Sequence, residues 1–139
     1  AYVMPPVFHD IAERLMVSGV EVRRLGKATE LEVESFQVTD RRASSTFVEG
    51  RITHQVSTEV APKKVRFPAG SYVFPMAQPN ANVIAVALEP ESPSSFVSFG
   101  MIPVDKKGSP ATIAGPSEIP VYRVLRPVEL DVRAVKPKP

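Results

Sequence analysis

The 139-residue chain has no cysteine and no tryptophan, and only 2 histidines. Without cysteine there is no disulfide framework and no thiolate metal site. Charge of one sign is also scarce. Seventeen basic against 15 acidic residues leave a net charge of +2, too weak a field for a nucleic-acid or anionic-membrane partner. No apolar run reaches the length of a membrane span, and no secretory signal is visible. Phosphate loops, dinucleotide fingerprints and Gly-x-Ser-x-Gly elbows are missing too, so the many serines have no recognisable base beside them.

Proline is the residue in excess. Most of the 15 prolines lie from Pro62 to Pro127, which favours short elements joined by fixed turns. A hydrophobic content of 43% is enough for a core, and the length suits one domain over residues 1–139. The start at Ala1 rather than Met reads as an excised part of a longer chain.

After Pro5-Pro6, Val7, Phe8, Ile11, Ala12, Leu15 and Met16 recur at helical spacing, and Gly19 supplies the stop. Val20, Val22 and Leu25 predict a short strand. Leu31 and Val33 alternate with Glu30, Glu32 and Glu34, but the apolar parity changes at Ser35-Phe36; a bulge near Ser35 would restore one buried face. Asp40 to Ser45 reads as a polar connection. From Phe47 to Val60 the alternation is clear, with Ile52, His54, Val56, Thr58 and Val60 on the buried side.

Val65 and Phe67 lead into the turn Pro68-Ala69-Gly70, and Ser71 to Phe74 resumes a strand. Pro75 and Pro79 end it. Asn80 then reads as an N-cap, and Val83, Ile84, Val86, Ala87 and Leu88 make one apolar face before Pro90. The same residues also alternate, so periodicity leaves helix and strand open, with the helix favoured by the cap and the stop. Ser92-Pro93 opens a second short helix with Phe96, Val97 and Phe99 inward. Residues 105–117 offer little to bury and predict a mobile loop. A last strand surrounds Tyr122, with Pro120 at an edge or at its beginning, and a polar tail covers 133–139.

FPAGSYVFPMAQP over 67–79, ALEPES over 87–92 and EIPVYRVL over 118–125 stand in the order found in a known family. So do GVEVRRL over 19–25, ELEVESFQV over 30–38 and FVEG over 47–50. Together they resemble the non-catalytic C-terminal region of bacterial zinc metallocarboxypeptidases, the carboxypeptidase A-like family. Ser94-Ser95 departs from the acidic pair expected there. The resemblance implies an upstream catalytic domain of the same chain as partner, one zinc ion held outside this segment, hydrolysis of C-terminal peptide bonds, and a secreted or periplasmic setting.

The segment has no catalytic or metal-ligating residues of its own on this reading. A zinc carboxypeptidase needs a His-x-x-Glu pair; three residues after His9 and His54 stand Ala12 and Ser57. His9 reads as solvated on the first helix and His54 as a hydrogen-bonded structural residue. Glu89 and Glu91, flanking Pro90, read as turn anchors rather than an acid/base pair or a cation site. Lys63, Lys64 and Arg66 read as a solvated strand end. Tyr72, Phe74, Phe96, Phe99 and Tyr122 read chiefly as core, with Phe96, Phe99 and Met101 the candidate partner-facing residues.

The expected fold is α+β: a mainly antiparallel, sandwich-like sheet with an N-terminal helix and one or two short helices. The expected role is that of an accessory domain packing on a catalytic neighbour. The alternative is an autonomous binding module for cell-wall glycan or a protein partner.

Overall fold

Among the described residues, alternating and continuously apolar stretches build seven strands, and two segments of helical spacing build two helices. In chain order these are β1 (Tyr2–Met4), α1 (His9–Val17), β2 (Val22–Leu25), β3 (Thr29–Val48), β4 (Arg51–Phe67), β5 (Tyr72–Phe74), α2 (Ala81–Leu88), β6 (Glu118–Arg123) and β7 (Val132–Val135). The computed structural model describes residues 1–48, 51–90, 95, 118–125, 130 and 132–135, with backbone only over 40–48 and 51–56. The strands form one sheet in the order β4-β3-β6-β1-β5-β2-β7. Every pairing in it is antiparallel.

Chain connectivity forces this sheet to curl. β2 ends at Leu25 and β3 begins at Thr29, a link that spans at most about 14 Å. Four strand spacings separate the two in the sheet order, about 19 Å if the sheet were flat. The link from Phe67 to Tyr72 meets the same conflict. Curling resolves both, and one face of the sheet closes on itself without helices. Val3, Leu25, Leu31, Val33, Val65, Phe67, Val73, Tyr122 and Val124 pack there. The rings of Phe67 and Tyr122 meet edge to face at 5.3 Å. The sandwich-like layering thus comes from a single sheet folded over.

The opposite face is covered by the helices. Ile11, Ala12 and Leu15 of α1 and Ile84, Ala87 and Leu88 of α2 pack on Tyr2, Met4, Val22, Phe36, Tyr72, Phe74, Ile119 and Val121. Val83 and Val86, expected on the buried side of α2, are exposed. α2 is a helix, with Asn80 at its N-cap position but without a side-chain capping bond. Asn80 instead donates from Nδ2 to the Gly19 carbonyl at 2.7 Å. Gln78 makes a comparable tie, accepting from the Glu21 amide at 2.7 Å and donating to the Glu21 carbonyl at 3.0 Å.

Several expectations are corrected. β1 has no counterpart in the sequence reading, yet its three residues sit between β5 and β6 in the middle of the sheet. Asp40 to Ser45 is strand rather than connection: Asp40, Arg41, Arg42 and Ala43 stand opposite Ser57, Val56, Gln55 and His54. Pairing along a long neighbour overrides weak local preference there. At Ser35-Phe36 no bulge restores one face. Leu31 and Val33 pack inside the curl while Phe36 packs under the helices, so the strand changes its buried side. The irregularity lies opposite, in β6, where Ser35 pairs with Tyr122 and Phe36 with Ile119. Pro120 falls in that gap, where its missing N–H costs no ladder bond, and β6 is an inner strand rather than an edge. Val60 is exposed, being on the edge strand beyond the core. Residues 133–135, read as polar tail, pair with β2, with Val132 packing on one core of the sheet and Val135 on the other.

Gly70 has φ +88, and a Cβ there would lie 3.0 Å from the Arg24 Nη2. The turn it closes also holds Leu25, whose amide donates to the Ser71 carbonyl at 2.9 Å. Gly70→Ala should therefore destabilise the chain by about 1–2 kcal/mol, read as a lower urea midpoint at unchanged slope.

Candidate functional site

The most deeply buried carboxylate among the described residues lies in a polar network across β6, β3 and β4. Glu118 opens β6 with its side chain only 2% exposed. Lys63 of β4 donates to its two oxygens at 2.9 and 3.2 Å. Gln37 of β3 donates to Oε1 at 2.7 Å, and the Tyr122 hydroxyl to Oε2 at 2.5 Å. Ser35 completes the group, donating to the Ala61 carbonyl at 3.1 Å while accepting from Gln37 at 3.3 Å. The carboxylate thus ties the edge strand to an inner strand across the one between them.

Burial alone would raise the Glu118 carboxyl above its ordinary value of 4.5, but hydrogen bonds from Tyr122, Lys63 and Gln37 outweigh it and hold the group lower. Burial, and then the bond to Glu118, pushes the Tyr122 phenol up. A carboxyl lowered on folding contributes stability that is complete above its unfolded value and is lost as pH falls through the folded one. The chain should accordingly lose stability below about pH 4.3. Glu118→Gln should flatten that acid limb, as urea midpoints measured from pH 3 to pH 7 would reveal.

A second network begins one residue past Tyr122. Arg123 Nε donates to Glu34 Oε1 at 2.9 Å and Nη1 donates to Glu89 Oε1 at 3.0 Å, with the guanidinium 5.4 Å over the Phe36 ring. The Tyr2 hydroxyl donates to the same Glu89 oxygen. Burial first, and then this bond, pushes the Tyr2 phenol up to about 12. Glu89 is therefore a turn anchor, as its place beside Pro90 suggested, and it joins β1, α2 and β6.

Chemically, both networks are closed. Glu118 and Glu89 each face a cation and a tyrosine hydroxyl, Glu34 faces Arg123, and no described side chain has a buried nitrogen or oxygen without a partner. General acid or base work needs a proton site that a substrate can reach, and Glu118 offers none. Among the described residues no group of three His, Cys, Asp or Glu could hold a metal ion. The zinc implied by the resemblance thus finds no donor set in them. His9 is exposed on α1 beside Asp10 at 3.2 Å. His54 stands opposite Ala43 in the hairpin register. Glu91, Phe96, Phe99 and Met101 lie outside the described residues, as do 105–117. Tyr72, Phe74 and Tyr122 are core. Ser95 is buried, its hydroxyl donating to the Pro90 carbonyl at 3.3 Å. A groove of about 440 Å³ lies beside Val73, Met76, Val124, Leu125 and Leu130, with Arg23 and Ala1 also in its wall.

Sequence reasoning placed Lys63 at a solvated strand end and gave Glu118 no role. Their separation of 55 residues left no local signal to connect them. Lys64 does match the solvated reading, 3.9 Å from Glu32 with both side chains exposed.

The fold and these networks define an α+β domain whose described ionisable clusters hold its own strands together. No family profile and no solved structure matches the chain. Carboxypeptidase 2 of Trichophyton tonsurans is 42% identical over 104 residues, 75% of this chain and 19% of that protein. Carboxypeptidase 2 of Trichophyton rubrum is 42% identical over 105 residues, 76% of this chain and 20% of that protein. A probable carboxypeptidase 2 of Arthroderma benhamiae is 38% identical over 89 residues, 64% of this chain and 17% of that protein. The chain is thus homologous over most of its length to carboxypeptidase-family proteins, and it spans about a fifth of the length of the curated relatives it matches. Those relatives are fungal, so the bacterial group named by the resemblance is too narrow a description of where this domain occurs.

Proposed function

We propose that the chain is the accessory domain of a zinc carboxypeptidase-like metallopeptidase, packing on an upstream catalytic domain that hydrolyses C-terminal peptide bonds. The observation that carries this is the asymmetry of the match: 75% of this chain aligns with 19% of a carboxypeptidase 2. The pairing within both ionic networks supports a structural contribution, since Glu118 is buried and Arg123 is held by Glu34 and Glu89. Zinc and its ligands belong to the catalytic part, and a secreted or periplasmic setting is part of the same proposal.

The test compares the longer protein with and without residues 1–139, measuring bound zinc and the release of C-terminal residues from a peptide mixture. Both should be present in the longer protein, and activity should fall at least tenfold when the segment is removed. Equal activity in the shortened protein would overturn the packing role. Absence of zinc from both forms would overturn the metallopeptidase reading.

A further inference from the structure

β3 outruns the sheet to which it belongs. Among the described residues its pairing with β6 reaches Gln37 and Glu118, whereas its pairing with β4 continues to Val48 and Arg51. Residues 51–58 of β4, at about 3.3 Å each, make a two-stranded ribbon reaching about 25 Å past the last β6 contact. Among the described residues no third strand pairs with it. Two register shifts, between Val38 and Asp40 and between Ala43 and Phe47, bend and twist it. An isolated two-stranded ribbon is marginal in water, so one of this length needs a surface to lie on.

The edge strand is protected unevenly. At its base β4 has Pro62, Lys63 and Lys64, residues that block pairing by another chain. Its outer part, Ile52 to Val60, has no proline and no lysine, and Ile52, Thr53, Val56, Thr58 and Val60 are β-branched. The outer part is suited to contact and the base is not.

We infer that this ribbon is an arm laid on the catalytic remainder of the longer protein. The inference rests on the function proposed above. The occupant follows from the match, which leaves roughly four fifths of the relatives' length outside this domain, and from the arm's position on β4, at the end of the strand order.

Hydrogen exchange of the longer protein tests it. Amides of 38–48 and 51–58 should exchange at least 100-fold more slowly than in an unstructured peptide, independently of protein concentration. Replacing 40–57 by Asn-Gly should keep 29–37 protected and speed exchange at least tenfold in a patch outside residues 1–139. Val56→Lys, which keeps the ribbon's length, should expose the same patch to a smaller degree. Unprotected arm amides would overturn the inference. So would protection that appears only as the protein dimerises, which puts a second copy on the arm. Carboxypeptidase activity measured in parallel separates the two readings: an inactive protein whose patch still responds sinks the function and leaves the docking, and an active protein with an unprotected arm sinks the docking alone.

Discussion

Phe67→Ala should cost about 4 kcal/mol, the upper range for removing a buried aromatic ring. Phe67 has no exposed surface, although neither α1 nor α2 packs on its face of the sheet. Its burial depends on the curl that brings β4 over Tyr122, Leu25 and Val3. Alanine would leave a cavity bordered by strands whose short links, 26–28 and 68–71, restrain them from collapsing into it. A lower urea midpoint with unchanged slope is the expected reading. Val17→Ala, at a position 84% exposed, should stay within about 0.5 kcal/mol of the parent. A loss below about 1 kcal/mol for Phe67→Ala would mean that the face is open and the sheet flat.

Lys63→Met should have the next largest effect, about 2 kcal/mol at neutral pH. Removing one partner of a fully enclosed ion pair costs roughly 3–5 kcal/mol, and the 39% exposure of Lys63 reduces this. What remains is the cost of leaving the Glu118 carboxylate buried without its cation. Once Glu118 is protonated the missing cation no longer matters, so the deficit should shrink as pH falls below the acid limb. The double variant Lys63→Met with Glu118→Leu should not recover fully. The Tyr122 hydroxyl would still lack its acceptor, at about 1–3 kcal/mol for a buried group, and the Gln37 amide would keep only the Ser35 hydroxyl. Urea midpoints of the single and double variants at pH 7 and pH 4 decide this. A Lys63→Met deficit that does not change with pH would assign the loss to packing of the lysine stem.

The legible parts of the fold are those in which a single face repeats over several turns or rungs. α1 was marked by Ile11, Ala12 and Leu15 and by the stop at Gly19, and β2 and β5 by their own apolar residues, whereas the single strand read over 47–60 divides between the end of β3 and the start of β4. β1 was not legible because three residues establish no period. The change of buried side at Phe36 was visible as a break in parity, but which strand absorbs it depends on Pro120, some eighty-five residues away. The ribbon was hidden because Asp40, Arg41 and Arg42 are ordinary loop residues until a partner strand lies beside them. The ionic networks share this property. Glu118 is a charge before an apolar run, and only the antiparallel pairing of β6, β3 and β4 brings Lys63 and Gln37 to it.

The central claim is that this segment contributes structure and the catalytic chemistry lies elsewhere in the longer protein. The most direct measurement is kcat/KM of that protein for release of a C-terminal residue, together with its zinc content, after changing His9→Ala, His54→Ala and Glu89→Gln at once. The account predicts bound zinc unchanged and kcat/KM within about threefold of the parent. A loss of 100-fold or more with secondary structure and zinc intact would contradict it, because it would put a group of this segment in contact with the reacting atoms.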